Sequence, residues 1–410
     1  MKKLSMTKKK KIHTVFIIAF ICLTMTAVEF ITVTNASRET IGSQREAESS
    51  DALNVDSVEA KATPAYSNEL RGLWVSFCDF KSLGFYDKSK TVYRKNIGKL
   101  FGTARKNGIN TVYFHVRAFD DAVYKSSVFN ASKYITSKAS SKTARNTYSY
   151  DPLSIAVTEA HRRGIKLHAW MNPYRVTYNY FLDPAKAYST KRIIKAIKEV
   201  KKYDIDGIHF DDYFYSAKKG YFYKTSDGKN VKHKVKISAA DKRAYVNKMI
   251  KKAYTETHSK RSLKFGISPA GNYENCMMIG ADVKTWLSKN GYLDYIVPQI
   301  YWTDNWGSRG KVMMFTNRLK NFKAKNKLKK PIYAGLALYR TGYRQTDDRG
   351  WGMRNTNIRA QVKKARSLGI NGYVLFTAAD MNRKRCQKEL YYLRRLVNRS
   401  EEHTSELQSQ

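Results

Sequence analysis

The chain has 410 residues, of which 42% are hydrophobic and 13% aromatic, and its formal net charge is +42. This apolar content excludes a disordered basic tail, because such segments contain too few hydrophobic residues to form a core. The charge alone would fit a nucleic-acid-binding protein. The chain contains no recognised nucleic-acid-binding motif and begins with an export-type segment, so we expect no nucleic-acid partner.

The first 36 residues have the pattern of a signal peptide. Four lysines, Lys8 to Lys11, precede an apolar run over residues 15–28, and Ala36 closes a small-residue cleavage site. The run is shorter than the roughly 20 residues of a membrane-spanning helix. An uncleaved anchor, the alternative, requires that the span extend through residues 30–33. We therefore expect a secreted or cell-surface protein that contacts the membrane only if the signal stays uncleaved.

Two further segments flank the expected folded domain at 67–398. Residues 37–66 are rich in Ser, Glu, Ala and Asp without apolar periodicity, which predicts a flexible linker. Residues 399–410 resemble a translated sequencing adapter and are expected to carry no function. The segments outside residues 67–400 contribute little to the charge, because that stretch alone carries +43. The folded part of the protein is therefore the basic part.

Between residues 69 and 398, short β-branched runs alternate with amphipathic segments. Strands are predicted at 72–77, 111–116, 166–171, 207–210, 264–267, 295–300, 332–336 and 373–376, and helices at 91–106, 153–163, 190–203, 239–258, 281–289, 311–325, 356–367 and 385–397. Gly108, Gly164 and Gly369 each lie between a predicted helix and an apolar strand, as is typical of αβ loops. The pattern predicts an α/β fold, a single (β/α)8 TIM barrel. An open doubly wound sheet is the alternative, but residues 76–79 lack its Gly-rich phosphate turn.

In such a barrel, functional side chains lie at the carboxyl ends of the strands, and alternate residues point inward. A single inward histidine is more often structural than catalytic. Buried polar groups without partners cost about 1–3 kcal/mol each, so polar residues on four strands indicate a pocket. The expected inward residues are Tyr113, His115 and Arg117; His168, Trp170 and Asn172; Gly207, His209 and Asp211; and Tyr295, Gln299 and Tyr301.

The expected chemistry of this pocket is acid/base catalysis by carboxylates. The chain has no GxSxG, HExxH or Walker-type motif, and no Cys/His spacing typical of a metal site, so we expect neither cofactor nor metal. Asp211 is the best acid/base candidate, and Asp212 is expected to turn toward a loop or an arginine; alternatively, the pair is a loop or helix-cap feature. Nearby aromatic residues are typical of glycan sites. Glycoside hydrolysis usually needs a second carboxylate about 5–9.5 Å away, for which the candidates are Asp121, Glu274, Asp304 and Asp380.

Cysteine usage is uninformative about catalysis. After the signal segment the chain contains Cys78, Cys276 and Cys386, an odd number for an exported protein. We expect buried single thiols, although a disulfide between one pair stays open.

Six motifs follow one another in the order seen in a known family: RGLWV at 71–75, HVR with DAVY at 115–124, HAWMNPY at 168–174, DGIHFDDYFY at 206–215, GISPAG at 266–271 and PQIYW at 298–302. Together they resemble the glycosyl-hydrolase-like family 10, a group of exported bacterial TIM-barrel proteins. The resemblance implies a glycosidase, and some relatives are thought to act on peptidoglycan glycan strands. It implies that Asp211 and Asp212 are catalytic and that the pocket includes Arg117, His168, Asn172, His209, Gln299 and Tyr301. The same rim adds Asp121, Tyr213 and Trp302 to the expected substrate-binding residues.

The fourth strand also has a partial similarity to the DGxDxDxE motif of chitinase-type barrels. His209 replaces the middle Asp of that motif and Tyr213 replaces its terminal Glu, so the proton donor of a substrate-assisted mechanism is missing there. We therefore expect a secreted glycoside hydrolase whose substrate is a cell-envelope or other amino-sugar polysaccharide, with peptidoglycan favoured. The alternative is a non-catalytic barrel that binds glycan or cell wall. The Lys-rich segment 218–236 is expected to be a solvated loop or, alternatively, a rim that attracts an anionic cell-wall polymer.

Overall fold

The computed structural model describes residues 68–140, 147–215, 222–224, 229–232 and 237–408, which belong to one compact unit. The predicted signal peptide at 1–36 and linker at 37–66 lie outside the described residues, as does most of the Lys-rich segment. Within the described ranges, no helix combines the length and apolar character needed to cross a membrane. Among the described residues no two cysteines form a disulfide; Cys276 and Cys386 are buried and Cys78 is partly exposed.

Eight parallel strands form one curled sheet. In chain order they are β1 (Leu70–Val75), β2 (Thr111–Arg117), β3 (Lys166–Met171), β4 (Gly207–Phe210), β5 (Lys264–Ile267), β6 (Tyr295–Ile296), β7 (Ala334–Ala337) and β8 (Gly372–Phe376). The strand order is β6-β5-β4-β3-β2-β1-β8-β7. Parallel bridges from Ile296 to Ile332 and from Gln299 to Gly335 join the two edge strands. The predicted (β/α)8 barrel is thereby confirmed.

Helices occupy the connections between the strands. They are α1 (Lys90–Lys106), α2 (Pro152–His161), α3 (Ala187–Val200), α4 (Ala239–His258), α5 (Tyr273–Met278), α6 (Val283–Trp286), α7 (Met314–Lys325), α8 (Gly350–Met353), α9 (Asn357–Ser367) and α10 (Gln387–Gln408). The helix predicted at 281–289 is confirmed only as the shorter α6, and the short helix α5 that precedes it was not predicted. The predicted sixth strand also shortens to two residues, and Pro298, which has no N–H to donate, follows it.

One contact recurs four times at the amino-terminal end of the barrel. An Asn or Asp immediately precedes each even-numbered strand, and its side-chain oxygen accepts a hydrogen bond from a backbone N–H near the start of the preceding odd-numbered strand. The contact aligns each odd strand with the next even one, at the end of the barrel opposite to the strand ends that carry the candidate site. The four pairs are Asn110 with Arg71 at 3.0 Å, Asp206 with Leu167 at 2.7 Å, Asp294 with Phe265 at 2.7 Å, and Asn371 with Ile332 at 3.1 Å.

Alternation along the strands separates two cores. The helix-facing core contains Val112, Phe114 and Leu167, whereas a second cluster inside the barrel consists of Trp74, Tyr113, Trp170, Tyr295, Val297 and Val374. The predicted inward orientation of Tyr113, Trp170 and Tyr295 is therefore confirmed. Glycine is required at Gly207, because a Cβ there would lie 2.5 Å from Nδ1 of His168. The His168 ring can therefore occupy the barrel axis.

Candidate active site

Asp211 directly follows β4 and is almost fully buried, with 2% of its surface exposed. Its Oδ1 accepts a hydrogen bond from the backbone N–H of Tyr213 at 3.2 Å. Neither Oδ2 of Asp211 nor the indole N–H of Trp170 forms a hydrogen bond of good geometry with the described residues. The indole nevertheless lies close enough to Asp211 to lower the pKa of this carboxyl group. Burial and the charge of Asp212 outweigh that effect and raise this pKa well above its usual value. The site therefore favours the protonated carboxyl that a general acid requires.

Asp212, the next residue, is partly exposed. Its carboxylate accepts a hydrogen bond from the side chain of Gln299, and burial raises its pKa to about 6. The Gln299 amide also donates to the backbone carbonyl of Ser268 at 3.0 Å, which fixes its orientation. Asp212 is expected to turn toward a loop or an arginine, and it contacts Gln299 in the segment after β6 and lies close enough to Arg175 for that charge to lower its pKa. The two carboxyl groups interact electrostatically with each other.

A buried arginine that the sequence analysis did not single out lies beside the pair. Arg175 is 1% exposed, and its guanidinium carbon lies 4.1 Å from the ring centroid of Tyr213, 4.9 Å from Phe119 and 5.1 Å from Tyr178. Its positive charge lowers the pKa of both catalytic candidates. The position of Arg175 directly after the HAWMNPY motif was the feature of the sequence that could have indicated it.

Asn172 presents an amide donor to the same region. The backbone N–H of Phe77 donates to Nδ1 of His115 at 3.5 Å, so Nε2 of His115 donates to Oδ1 of Asn172 at 3.0 Å. The His115 ring stacks on Trp170 with a centroid separation of 3.7 Å. Burial lowers the pKa of His115 well below its usual value, which keeps the ring neutral. The Nδ2 of Asn172 is buried and has no hydrogen-bond partner among the described residues.

His168 and His209 lie deeper in the barrel than Asp211, at successive levels, because His168 opposes Gly207 and His209 opposes Trp170. The Tyr295 hydroxyl is 2.8 Å from Nδ1 of His168 and 3.2 Å from Nδ1 of His209, and the Trp74 indole donates to Nε2 of His209 at 3.4 Å. Burial lowers the pKa of His168 to about 4 and that of His209 well below its usual value. Both rings are buried to a similar extent as Asp211 itself, and their place among the substrate-binding residues stays a prediction.

Arg117 lies apart from the acid pair. The pairing of β2 with β3 shifts register between His115 and Arg117, so that Arg117 opposes Met171, a residue of the helix-facing core. Its guanidinium donates to the carbonyl of Asn172 and to the carboxylate of Asp120, each at 2.7 Å. The inward orientation predicted for Arg117 is therefore wrong, because simple alternation does not continue through the register shift. The residue instead holds the start of the loop that carries Arg175.

The other four candidate carboxylates are engaged in local contacts. Asp121 also lies in the expected substrate-binding set, yet it accepts a hydrogen bond from its own loop, and Glu274 is an exposed residue paired with an arginine of α7. Asp212, the next residue in the chain, is the carboxylate whose charge raises the pKa of Asp211. The contacts are Asp121 with the Phe119 N–H at 2.9 Å, Glu274 with Arg318 at 3.1 Å, Asp304 with the Thr316 N–H at 2.8 Å, and Asp380 with Arg385 at 2.8 Å.

Two clusters of aromatic residues lie near the carboxyl ends of the strands. The β1–β4 cluster consists of Phe77, Phe119, Tyr134, Tyr178 and Tyr213. The β6–β8 cluster consists of Tyr301, Tyr339 and Phe376, in which Tyr301 stacks on Phe376 with centroids 5.9 Å apart. Trp302 is nearly buried, and its backbone carbonyl accepts a hydrogen bond from Gln361.

The match to a family model decides the family. The model described as Glycosyl hydrolase-like 10 matches residues 69–180 and 175–353, a span that includes the acid pair and Gln299. The chain belongs to the glycosyl hydrolase-like 10 family. This confirms the resemblance inferred from the six motifs.

Named relatives of this glycosyl hydrolase-like 10 chain are similar over most of its length. Glycosyl hydrolase DigH of Escherichia coli K12 is 27% identical over 399 residues, which cover 81% of this chain and 88% of that protein. Glycosyl hydrolase YngK of Bacillus subtilis 168 is 27% identical over 385 residues, which cover 80% and 72%. In fold, the chain is similar to the endo-1,4-beta-mannanase of Rhizomucor miehei, with a TM-score of 0.52, 10% identity, and coverage of 81% of this chain and 95% of that one. The structural likeness supports the barrel fold alone.

Part of the Lys-rich segment has regular structure in this glycosyl hydrolase-like 10 member. Phe222–Lys224 pairs antiparallel with Asn230–Lys232 and parallel with Tyr180–Leu182. The expectation of a plain loop is therefore wrong for these two stretches, and the rest of the segment lies outside the described residues. Across the part of the chain that is described, no three His, Cys, Asp or Glu side chains group as metal ligands. The absence of a metal or cofactor stays a prediction.

Proposed function

We propose that this protein is a glycoside hydrolase that cleaves a cell-envelope amino-sugar polysaccharide, with peptidoglycan glycan strands favoured. The observation that carries the proposal is the pair of adjacent carboxyl groups at the end of β4, one buried with a strongly raised pKa and one partly exposed with a pKa of about 6. Two carboxyl groups with separated pKa values are what glycosidases use as acid and as nucleophile or base. The similarity to relatives named glycosyl hydrolases supports the same reaction class.

The pKa difference suggests a role for each carboxyl. Asp211, the more strongly raised, retains its proton and donates it through the unpartnered Oδ2 to the leaving glycosidic oxygen. Asp212, which reaches the pocket surface and is ionised above about pH 6, acts on the anomeric carbon as base or nucleophile. The Asn172 amide and the Trp170 indole offer donors for sugar hydroxyl or acetamido oxygens. Each group then performs the part of the reaction that its protonation state permits.

The aromatic clusters on either side of the strand ends suit a polymeric substrate. Sugar rings present C–H faces that pack on aromatic rings, and Tyr178 on one side and Tyr339 on the other are both partly exposed. We propose that the strand passes between the two clusters. The signal-peptide pattern at residues 1–36 and the basic domain support action outside the cytoplasm on an anionic wall.

The test is cleavage of purified peptidoglycan by the wild type and by the variants Asp211→Asn and Asp212→Asn, with products followed by mass spectrometry and new reducing ends. Each variant should lose activity by about 10²–10⁴-fold while keeping its thermal unfolding temperature. Asp204→Asn is the matched control, because the Asp204 side chain is 88% exposed and lies at the opposite end of the barrel. Binding of glycan without new reducing ends would instead support the non-catalytic alternative.

A further inference from the structure

A groove lies between the outer helices α9 and α10. It encloses a cavity of about 290 Å³ lined by Arg359, Lys363, Tyr392, Arg395 and Leu396. All five residues belong to the two helices, and none lies in the strand-end loops that form the candidate active site. The groove, here the α9–α10 groove, is therefore a second concave surface that hydrolysis does not use.

The groove concentrates positive charge, and none of the side chains that the structure describes there is a carboxylate. Arg359 and Lys363 are four residues apart on α9, so their side chains share one helix face. Arg395 joins them from α10. Among the described residues, no carboxylate forms an ion pair with any of these three cations, whereas Arg366, also on α9, pairs with Glu69 at 2.7 Å. Like charges held together without a counter-ion attract an anionic ligand.

The groove also offers an aromatic and apolar surface beside the charges. The Arg359 guanidinium carbon lies 5.9 Å from the ring centroid of Tyr392, a half-buried residue, and Leu396 completes this wall. A flat aromatic face packs against the C–H face of a sugar, while guanidinium groups bind phosphate through paired hydrogen bonds. A surface with both features should bind a phosphorylated sugar more tightly than it binds an unmodified sugar or a free phosphate.

We propose that the α9–α10 groove binds a phosphorylated sugar unit of an anionic polysaccharide. The cavity is near the lower limit of small-molecule pockets, which is adequate for one monosaccharide with its phosphate. Arg359, Lys363 and Arg395 hold the phosphate, and Tyr392 packs on the sugar ring. The site would keep the protein on a phosphate-bearing polymer whatever bond the barrel cleaves.

Calorimetric titration of the full chain at fixed low salt tests the proposal with glucose 6-phosphate, inorganic phosphate and glucose as probes. Glucose 6-phosphate should bind at least about tenfold more tightly than inorganic phosphate, and glucose should show no measurable binding. The double variant Arg359→Gln/Lys363→Gln should weaken glucose 6-phosphate binding by about tenfold or more. Tyr392→Ala should remove the preference for the sugar phosphate but retain binding of inorganic phosphate.

The matched control is Lys99→Gln/Lys248→Gln, which removes the same charge from exposed positions on α1 and α4. This control should keep glucose 6-phosphate binding within about twofold, since it leaves the groove intact. Equal weakening by both double variants would overturn the proposal in favour of general surface charge. Equal affinity for the two phosphate probes would overturn the sugar component. Tighter binding of a single-stranded oligonucleotide, lost in the groove variant only, would assign the groove to nucleic acid instead.

Discussion

Gln299, beyond β6, donates a hydrogen bond to the carboxylate of Asp212 at the end of β4. Ser268 directly follows β5, the strand that lies between them, and its backbone carbonyl accepts a hydrogen bond from the Gln299 amide at 3.0 Å. Three neighbouring strand ends thus converge on one carboxylate. The hydrogen bond favours the ionised form of Asp212 and opposes the effect of burial.

Substitution of Gln299 should therefore move the pH dependence of activity. If Asp212 must be ionised, activity falls as the pH drops through about 6, and loss of the hydrogen bond in Gln299→Ala raises the pKa of Asp212. The acidic limb of the kcat profile should shift to higher pH, and Gln299→Glu should shift it further through like-charge repulsion. An unchanged limb in both variants would contradict the role assigned to Asp212.

Arg175 should also affect the pH at which Asp212 titrates. Its buried cation lowers the pKa of both carboxyl groups, so Arg175→Met should also move the acidic limb to higher pH and reduce activity below pH 6 by about tenfold or more. Arg175→Lys keeps the positive charge, so its acidic limb should shift less than that of Arg175→Met. The measurement is kcat against pH for both variants, with thermal unfolding as the folding control. Equal pH profiles of kcat for the Arg175→Met and Arg175→Lys variants would indicate that Arg175 acts by packing against the aromatic rings and that its charge does not affect the titration.

The two aromatic clusters predict a KM effect on polymeric substrates. Tyr178→Ala and Tyr339→Ala remove one partly exposed ring from each side, and each should raise KM for long glycan strands by about 5–20-fold with a smaller change in kcat. Tyr391→Ala is the control, since Tyr391 is exposed on α10 and lies in neither cluster. If only one cluster variant affects KM, the substrate does not pass between both.

The repeated contact at the amino-terminal end predicts a stability effect without an activity effect. Asn110→Ala removes the acceptor of the Arg71 backbone N–H and the donor to the Glu69 carbonyl. The free energy of unfolding should fall by about 1–3 kcal/mol, because buried polar groups lose their partners. Asn355→Ala, at an exposed position before α9, should change it by less than about 0.5 kcal/mol. Denaturant unfolding measures both, and equal effects would show that the repeated contact does not stabilise the barrel.

The local sequence pattern was sufficient to predict the barrel and the location of the acid pair. Alternation along each strand placed Tyr113, Trp170 and Tyr295 inside the barrel, and the glycines after the helices adopt the positive φ values expected of helix C′ positions, such as 76° at Gly108 and 68° at Gly369. These features depend on residues close in sequence, whose spacing is fixed by helix and strand geometry. Six motifs in order then identified the family.

The amino-acid sequence was thus sufficient to predict the fold, the family and the strand end that carries Asp211 and Asp212. It was not sufficient to predict which side chains meet at that strand end. A register shift places Arg117 opposite a residue of the helix-facing core, and the loop after β3 brings Arg175 to the acid pair. Register shifts and loop paths follow no repeating period, so contacts between different strand ends form only when the whole barrel closes.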